Sequence, residues 1–514
     1  MAFDLIGFIS PAWAYRRELD RVRGEELRNY REIRAQGYDA ASYDRLNMNW
    51  WAANQSAEDT DRGDRDTLCA RARDMERNSD IFNSVILAFI RNAVGNGFTL
   101  QANTGKKDLD DQLEALWKEW CKPRNCDVTG TQSFNQILRM AVRRKKVDGG
   151  MLLVKCYTDG GLLPFKLQAL EVDELAVSQT KPHAKGNKVV GGVEYNRWNR
   201  AMGYWIQQYQ LDGMTLVDPV FYPENDVIFY FSKQRPSQVR EVSDMKHVLT
   251  RIRDANEFMT AVSLKERIAA CLSVFIRKLI PQGGGNMLGR SGEMTDGKPR
   301  PSYEGKTITP GMIHELGMGE DITVVNPGNS GIDAANHLKT QQRIIGAGTG
   351  LSYEGTSRDM SETNYSSARQ GGIEDELTYA EEIELLTDVL TEIYETFVIS
   401  AVLAGKAGIP NFWENKQANL RHSWVASPKK WIDPLKEARA NEVALNSGLK
   451  TYPQIAAEQG RDWKDMLNEM KEVADYAASI GITIGGIGLA EQTKRTRGHS
   501  APARLRHAAA GRGG

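Results

Sequence analysis

The sequence predicts an α+β fold, with helices on both sides of a β-rich middle region. Apolar residues recur at helical spacing from Leu68 to Ile90 and again from Met245 to Leu279, as expected for helices that bury one face. From Met151 to Phe231, apolar and polar residues alternate between glycine-containing turns, which is typical of strands. At 514 residues, with 41% apolar and 26% charged residues, the chain is long enough for several structural units and is neither fibrous nor wholly disordered.

The first part of the chain predicts an arm followed by three helices. Residues 16–36 are dense in charges of both signs, which favours a solvated arm or helix. A helix over 68–94 ends at Gly95-Asn96-Gly97, because glycine stops helices. Amphipathic helices then follow at Asp108–Cys121 and Phe134–Lys146.

The second part predicts two long helices separated by irregular chain. Ser237–Ile280 contains neither Gly nor Pro, so it predicts one continuous helix. Residues 281–331 carry 12 glycines and 5 prolines, which predicts an insertion of loops and short strands. A helix around Ala334–Ile345 and a polar loop at Leu351–Glu362 lead to a second long helix, Ile373–Ala404.

The last part predicts short helices and a basic tail. The helices lie around Ala438 and Trp463. From Lys494 onward there are six Lys or Arg residues and no Asp or Glu. Such a composition predicts disorder, because it offers too little apolar surface to form a core.

Charge is balanced overall but segregated locally. Lys and Arg total 66 against 67 Asp and Glu, a formal net charge of −1, so the chain is not a generally basic, nucleic-acid-coating protein. The predicted helix at 134–146 carries a basic stripe, whereas Ile373–Ala404 has nine acidic residues and no basic one. The stripe consists of Arg139, Arg143, Arg144, Lys145 and Lys146. Either these segments pair across a subunit contact, or an acidic wall repels a passing duplex while the basic residues steer it.

The chain lacks a recognisable catalytic constellation. A phosphate-loop-like string ending in Gly297-Lys298 has Pro299 where a magnesium-binding Ser or Thr belongs. Cys121 and Cys126 have no partners for a tetrahedral metal site. The sequence therefore predicts no enzyme activity, no metal and no cofactor. The five scattered cysteines, and the lack of a signal peptide or a long apolar run, favour a reducing, cytoplasmic environment.

Eight short strings occur along the chain in one order. They include Arg71-Ala72-Arg73-Asp74-Met75-Glu76-Arg77-Asn78, Val94-Gly95-Asn96-Gly97, Asn364-Tyr365-Ser366-Ser367-Ala368-Arg369 and Trp431-Ile432-Asp433-Pro434. In this order they resemble the lambda-type family of bacteriophage portal proteins over roughly residues 30–470. The string from Asn364 to Arg369 is the most specific. The turn Ser237-Gln238-Val239, after Arg235-Pro236, departs from the family pattern.

The resemblance implies an α+β portal fold that assembles as a ring, usually of twelve copies. Such a fold has an α-helical stem and crown, a mixed α/β wing and a small Gly/Pro-rich α/β clip. On this sequence it implies an N-terminal arm (1–60), a wing (61–243), a first stem helix (244–280), a clip (281–331), a second stem helix (332–350), a tunnel loop (351–364), a long wing helix (365–406), a crown (407–490) and a basic disordered tail (491–514).

The resemblance also implies a function without catalysis. The ring would form the channel at one capsid vertex of the virion, assembled in the host cytoplasm, through which double-stranded DNA is packaged and ejected. Expected partners are further copies of the chain, double-stranded DNA, the terminase large subunit that supplies the energy, the major capsid protein and head-completion or tail connector proteins, with no membrane. The alternative is a DNA-processing enzyme or capsid maturation protease with an unrecognised active site.

Two groups of site residues follow from the resemblance. Thr356, Ser357, Arg358 and Asp359 would lie in the tunnel loop and face DNA. Arg290, Lys298, Arg300 and Lys306 would lie in the clip and bind terminase or connector proteins. Asp359 and Glu362 have capping-box spacing for the next helix. The alternative for the tunnel-loop segment is that it only connects two helices.

Overall fold

The computed structural model describes residues 11–34, 47–210, 212–271, 275–276, 314–315, 333–428 and 433–482. Contacts divide the chain into two compact units, Met1–Thr60 and Asp61–Gly514. The described helices are, in chain order, α1 (Pro11–Arg34), α2 (Ala57–Asp61), α3 (Arg65–Asn78), α4 (Asp80–Phe89), α5 (Lys107–Trp120), α6 (Pro123–Cys126), α7 (Phe134–Asp148), α8 (Leu249–Cys271), α9 (Ala334–Thr349), α10 (Tyr353–Ser357), α11 (Tyr365–Leu403), α12 (Lys416–Asn419), α13 (Pro434–Asn446), α14 (Tyr452–Glu458) and α15 (Trp463–Ser479). No described helix combines the length and apolar composition needed to cross a bilayer.

The described strands form four small sheets. They are β1 (Thr99–Ala102), β2 (Gly150–Tyr157), β3 (Phe165–Leu170), β4 (Lys188–Val190), β5 (Val193–Tyr195), β6 (Ala201–Ile206), β7 (Val220–Pro223), β8 (Val227–Phe231), β9 (Phe275–Ile276), β10 (His314–Glu315) and β11 (His422–Val425). The sheet orders are β3-β2-β8, β4-β5-β6-β7 and β1-β11, all antiparallel, and β9-β10, which is parallel. The β-rich prediction for 151–231 is therefore confirmed.

The central strand β2 is buried on both faces. Met151 and Leu153 belong to the main core, whereas Leu152 and Val154 belong to a second core shared with the β4–β7 sheet. Successive side chains of a strand point to opposite faces, so this one strand joins two hydrophobic layers. Its position explains why the run Leu152-Leu153-Val154 is apolar without interruption.

An aromatic cluster joins α5 to α11 at the centre of the larger unit. The rings of Trp117 and Trp120 stack with centroids 5.0 Å apart, and Trp120 Nε1 donates a hydrogen bond of 2.9 Å to the Phe165 carbonyl. On α11, Tyr394 and Phe397 meet Trp117 edge-on at 5.9 and 5.1 Å. Aromatic side chains of this size dominate the energetics of a core.

The N-terminal helix α1 is exposed, and the helix predicted over 68–94 is divided in two. The side chains described from Tyr15 to Glu26 in α1 are exposed, as the charge pattern predicts. The helix predicted over 68–94 is in fact two, α3 and α4. Ser79 is extended and its hydroxyl accepts the Phe82 N–H at 3.2 Å, so it ends one helix and caps the next. A π-helical turn, Ile90–Val94, then completes α4.

The predicted first stem helix, 244–280, is wrong at both ends. The helix α8 starts only at Leu249 and stops at Cys271, and Phe275–Ile276 is the strand β9. Before α8 the chain is irregular because Arg240 is buried and donates to the carbonyls of Gly191 and Val172 while pairing with Glu241. Those long-range contacts override a helical sequence pattern.

The helices α8 and α9 lie antiparallel. Arg251 Nη1 donates to Gln341 Oε1 at 2.9 Å, and further along α8 the Phe258 ring lies 4.7 Å from His337. Near the start of α8 the His247 ring bonds to the Gly348 carbonyl. A Cβ on Gly348 would stand 2.8 Å from the Val248 side chain, so glycine permits this close approach. The helix predicted around 334–345 is confirmed as Ala334–Thr349, whereas its role as a stem helix stays a prediction.

Candidate nucleic-acid interface

The segment predicted as a tunnel loop, 351–364, contains one turn of helix. Ser352 caps α10, and its hydroxyl accepts the Gly355 N–H at 3.0 Å. The chain is irregular from Arg358 to Thr363, and Asn364 caps α11 by accepting the Ser367 N–H at 2.8 Å. The capping box predicted for Asp359 and Glu362 is therefore wrong, because Asn364 takes the capping position.

Thr356 does not face solvent in this chain. Its side chain is buried, and its hydroxyl donates to the carbonyls of Ser352 and Tyr353 at 3.2 and 3.0 Å. Its own carbonyl accepts a hydrogen bond of 2.6 Å from the Ser84 hydroxyl of α4. Because α10 packs this side against the body, the prediction that Thr356 projects toward DNA is wrong for this conformation. Ser357 is half-buried and donates to the Tyr353 carbonyl at 2.8 Å.

Arg358 is the exposed member of the four predicted residues. It ends α10 in the left-handed conformation, with φ of 59°, and its N–H donates to the Glu354 carbonyl at 2.9 Å. Among the described residues it makes no ion pair. Asp359 beside it is half-buried and accepts the Ser361 N–H at 3.0 Å and the Tyr353 hydroxyl at 3.1 Å. These hydrogen bonds, from Ser361 first, lower the pKa of Asp359.

Two contacts with α11 fix the start of the segment. The N–H and hydroxyl of Ser352 donate to the two oxygens of Asp375 at 2.5 and 2.7 Å, and Thr378 Oγ1 donates to the Gly350 carbonyl at 2.6 Å. Burial raises the pKa of Asp375, although the Ser352 donors oppose this shift. A third contact is the ion pair between Lys339 and Glu362 at 2.6 Å. The segment therefore presents Arg358 on a turn that its own chain holds at both ends.

The two lysines of the basic stripe of α7 pair with carboxylates inside the chain. Lys145 and Lys146 are buried, and each Nζ lies 2.8 to 3.0 Å from the carboxylates of both Asp244 and Glu382. The Tyr230 hydroxyl also donates to Glu382. Burial alone would raise the pKa of Glu382, but Lys146 and Lys145 lower it to about 2.

The arginines of the stripe are likewise occupied. Arg143 and Arg144 both contact Glu76, at 2.8 and 2.5 Å. Arg144 also reaches Asp148 at 3.1 Å, and Arg139 donates to the Gly95 carbonyl. Both interpretations of the stripe, a subunit contact and a DNA-steering surface, are contradicted for the four cations from Arg143 to Lys146, because these already pair with carboxylates of the same chain. Arg139 is exposed and bonds only to a backbone carbonyl among the described residues.

A comparison with known protein families assigns this chain to a family. The family model described as phage portal protein, lambda family, matches residues 43–382, two thirds of the chain. The chain belongs to the lambda family of phage portal proteins. The matched range contains α4, the two larger sheets and the segment that carries Arg358.

Curated relatives in the portal family match over most of their length. The probable portal protein of Halomonas phage phiHAP-1 is 24% identical over 461 residues, covering 87% of each chain. Portal protein B of Escherichia phage lambda is 20% identical over 446 residues, covering 80% of this chain and 84% of that protein. Among solved structures, the neck of a native gene transfer agent particle computed with C12 symmetry matches with 12% identity and a TM-score of 0.37, over 77% of this chain and 93% of that one. A TM-score this low leaves the assignment resting on the family match.

This leaves the four residues predicted for the clip, and the residues around Arg358 that the sequence did not predict. Arg290, Lys298, Arg300 and Lys306 lie outside the described residues. The described part of the chain holds no cluster of three or more His, Cys, Asp or Glu residues that could bind a metal. The residues that position Arg358 were missed, chiefly Ser84, Ser352 and Asp375. Only Ser352 carries a local signal, since a serine just before a helical turn is a typical N-cap.

Proposed function

We propose that this chain forms the portal ring at one capsid vertex, with a central channel through which double-stranded DNA enters and leaves the particle. Membership of the portal family over residues 43–382 carries the proposal. The ring would be part of the virion. The energy for DNA movement would come from a separate ATPase, the terminase large subunit, so the portal itself would be structural rather than catalytic.

The helix pair α8–α9 supports assembly into a ring. Beyond Ala255, most described side chains of α8 are exposed, including the apolar Met259 and Leu264. Ile344 on α9 is also exposed. Apolar side chains on a helix pair that has little packing of its own need a partner surface. In the proposed ring, the neighbouring copies of this pair supply it.

The C-terminal helices support the same conclusion. Helix α13 has no buried residue, and Ala477 is the one buried residue described for α15. Large apolar side chains such as Leu449, Val473 and Tyr476 are nevertheless exposed. These helices are well capped, by Asp433, Thr451 and Asp462, yet they bury almost no core within one chain. We infer that the part of the predicted crown (407–490) from Pro434 onward completes its core with other copies, whereas residues 407–425 pack into the main core of the same chain.

Contact with DNA is assigned to Arg358. Most cations of the basic stripe of α7 pair with carboxylates of the same chain, whereas Arg358 on the tunnel-loop segment is exposed and forms no ion pair among the described residues. One arginine per copy would make a ring of positive charge that touches phosphates without reading bases. The exposed acids of α11, including Glu381, Glu384 and Asp388, would repel phosphates. A duplex could then slide through the ring, because each contact between Arg358 and a phosphate is weak and screened by salt, while the carboxylates of α11 repel the phosphates.

Docking of partners is assigned to the clip, 281–331. Its proposed contacts, Arg290, Lys298, Arg300 and Lys306, would bind the terminase large subunit and later the head-completion or tail connector proteins. The major capsid protein would surround the ring. Deleting Asn286–Pro301 should leave rings intact while abolishing binding of terminase in pull-down experiments.

The test of the proposed function is direct observation of the assembled protein. Purified full-length protein should give rings with a central hole by electron microscopy, with one mass consistent with a closed ring by native mass spectrometry. Particles assembled without the protein should lack packaged DNA. Compact monomers at every protein concentration, or normal packaging in its absence, would contradict the proposal.

A further inference from the structure

A groove of about 670 Å³ lies between α11 and the strands β2, β6 and β8. Its floor is aromatic and aliphatic, with Tyr204, Val227 and Phe229. Tyr157 lies at its edge with most of its side chain exposed. One wall is the face of α11 that carries Asp388. A groove with an apolar floor and open sides is suited to an extended peptide rather than to a small enclosed ligand.

The charge of the groove favours a cationic occupant. Its lining includes four carboxylates and three cations, namely Glu224, Asp388, Glu392 and Glu395 against Lys155, Arg200 and Lys416. Two pairs are already formed, Lys155 with Glu392 at 2.6 Å and Arg200 with Glu224 at 3.6 Å.

Three charged groups of the lining form no ion pair among the described residues, the carboxylates of Asp388 and Glu395 on α11 and the ammonium of Lys416 on α12. No cation among the described residues lies within 4 Å of the carboxylates of Asp388 or Glu395. Burial, together with the nearby Glu224 and Glu392, raises the pKa of Tyr204 to about 12. With four carboxylates against three cations, the lining has a net charge of −1, which favours a guanidinium over a phosphate.

We propose that the groove binds the arginine-rich segment Lys494–Gly514 of this chain, from the same copy or from a neighbouring one. That segment has six cations, five of them arginine, and no acid, so its charge complements the free carboxylates of the groove. Arginine pairs with carboxylates through two hydrogen bonds and stacks on aromatic faces, and the groove offers Asp388 and Glu395 beside Tyr157. The alternative is that the segment binds duplex DNA and not this groove, and the peptide-binding measurement distinguishes the two.

The length of chain before the segment sets how far it can reach. The described chain ends at Ile482, and 11 residues, or 12 Cα–Cα steps, connect it to Lys494. At up to about 3.6 Å per residue, that connection spans at most about 43 Å. The inference goes beyond the proposed channel function and does not depend on ring formation.

The first experiment measures binding of a labelled peptide of residues 491–514 by fluorescence anisotropy. The protein is full length, with the six cations of its own segment replaced by glutamine so that they do not compete. We expect saturable, salt-sensitive binding that weakens about fivefold in the Asp388→Asn/Glu395→Gln double variant, since an exposed ion pair contributes up to about 1 kcal/mol. The matched control, Glu381→Gln/Glu384→Gln, removes the same charge from α11 outside the groove lining and should change binding by less than twofold.

The second experiment uses the unmodified chain. Zero-length carbodiimide crosslinking joins an amine to a touching carboxylate as an amide with loss of water, so Lys494 should crosslink to Asp388 or Glu395 in preference to Glu381 or Glu384. Mixing isotope-labelled and unlabelled protein tells whether the crosslink joins two copies. Equal weakening by both double variants, crosslinks spread evenly over α11, or a peptide that binds duplex DNA but not the protein would each overturn the proposal.

Discussion

Two parts of the larger unit differ in where their apolar surface goes. The body around α5, β2 and α11 buries its aromatic residues within one chain, and Trp120, Tyr394 and Phe397 are almost fully inaccessible. The outer half of α8 and the helices α13 to α15 leave theirs in solvent, with Leu449 81% exposed. The body therefore specifies its own fold, whereas the outer helices have the surface of elements that pack against something else.

The difference shows which parts of a portal-family chain are stable before assembly. Burying a large side chain contributes about 1.5–3 kcal/mol, and the body gains this many times over. The outer helices gain it only when another surface covers them. Substitutions in the body should thus act on the stability of the single chain, and substitutions in the outer helices should act on assembly.

The largest effect should follow from truncating the aromatic core. Trp120→Ala should lower the free energy of unfolding by about 3–5 kcal/mol, because it leaves a cavity and the Phe165 carbonyl without its donor. Leu449→Ala, on an exposed side chain, should change it by less than about 0.5 kcal/mol. Urea unfolding of dilute, unassembled protein measures both. Equal losses in the two variants would erase the distinction between body and outer helices.

The buried ion cluster should be the second most sensitive feature of the body. Glu382→Gln leaves Lys145 and Lys146 with Asp244 as their one remaining carboxylate partner. Breaking a buried pair from one side typically costs about 3–5 kcal/mol, so we expect a loss in that range. The neighbouring Glu381→Gln, on an exposed side chain, serves as control and should be nearly neutral. A neutral Glu382→Gln would show that the cluster contributes no stability.

The same cluster predicts how stability depends on pH. The pKa of Glu382 is about 2 in the folded chain against an ordinary value of 4.5. A lowered carboxyl pKa stabilises the fold above about pH 4.5, and that stabilisation is lost as pH falls toward 2. Between these values the unfolding midpoint of the wild type should fall more steeply than that of Glu382→Gln. Parallel pH profiles would mean that Glu382 does not titrate as the ion pairs require.

In the outer helices, substitutions should affect assembly more than the stability of the single chain. Met259→Asp/Leu264→Asp should change the stability of the single chain by less than about 1 kcal/mol, since both side chains are exposed. Assembly should fail, because burying an unpaired carboxylate in a subunit contact is costly. Sedimentation velocity measures assembly, and Thr260→Asp/Ser263→Asp provides the same added charge at polar positions. Normal assembly of the first variant would remove this face of α8 from the proposed subunit contact.

The sequence predicted elements with strong periodicity and missed contacts between distant residues. α5 and α7 follow from amphipathic spacing, and the part of α11 from Ile373 onward follows from its lack of Gly and Pro. β2 follows from the alternation of apolar and polar residues between turns. The partners of Lys145 lie 99 and 237 residues away, so no local pattern indicates that the two lysines of the basic stripe are buried. The irregular chain before α8 has the same origin, because Arg240 bonds to carbonyls 49 and 68 residues away.

Within the candidate interface, the local sequence predicted the backbone of 351–364 as a connection between helices, but it did not predict which side chains are buried. The polar composition of 351–364 indicated a connection between helices, and its helical turn follows from the cap at Ser352. Whether Thr356 or Arg358 faces solvent depends on Ser84, which lies 272 residues from Thr356. The sequence alone therefore could not separate the buried residue from the exposed one.

The smallest effect on the single chain, and the most specific effect on function, should follow from Arg358→Ala. Arg358 is exposed and already in the left-handed conformation, which alanine adopts at a similar cost, so stability should change by less than about 0.5 kcal/mol. Assembly should be normal, while the length of genome packaged per particle should fall, with Arg358→Lys restoring it because a single cation suffices for phosphate contact. Pulsed-field sizing of packaged DNA, with rings counted in the same particles, measures this. If Arg358→Ala packages full-length genomes while Arg369→Ala, at an exposed position near the start of α11, blocks ring formation, then the segment only connects two helices and its proposed contact with DNA is wrong.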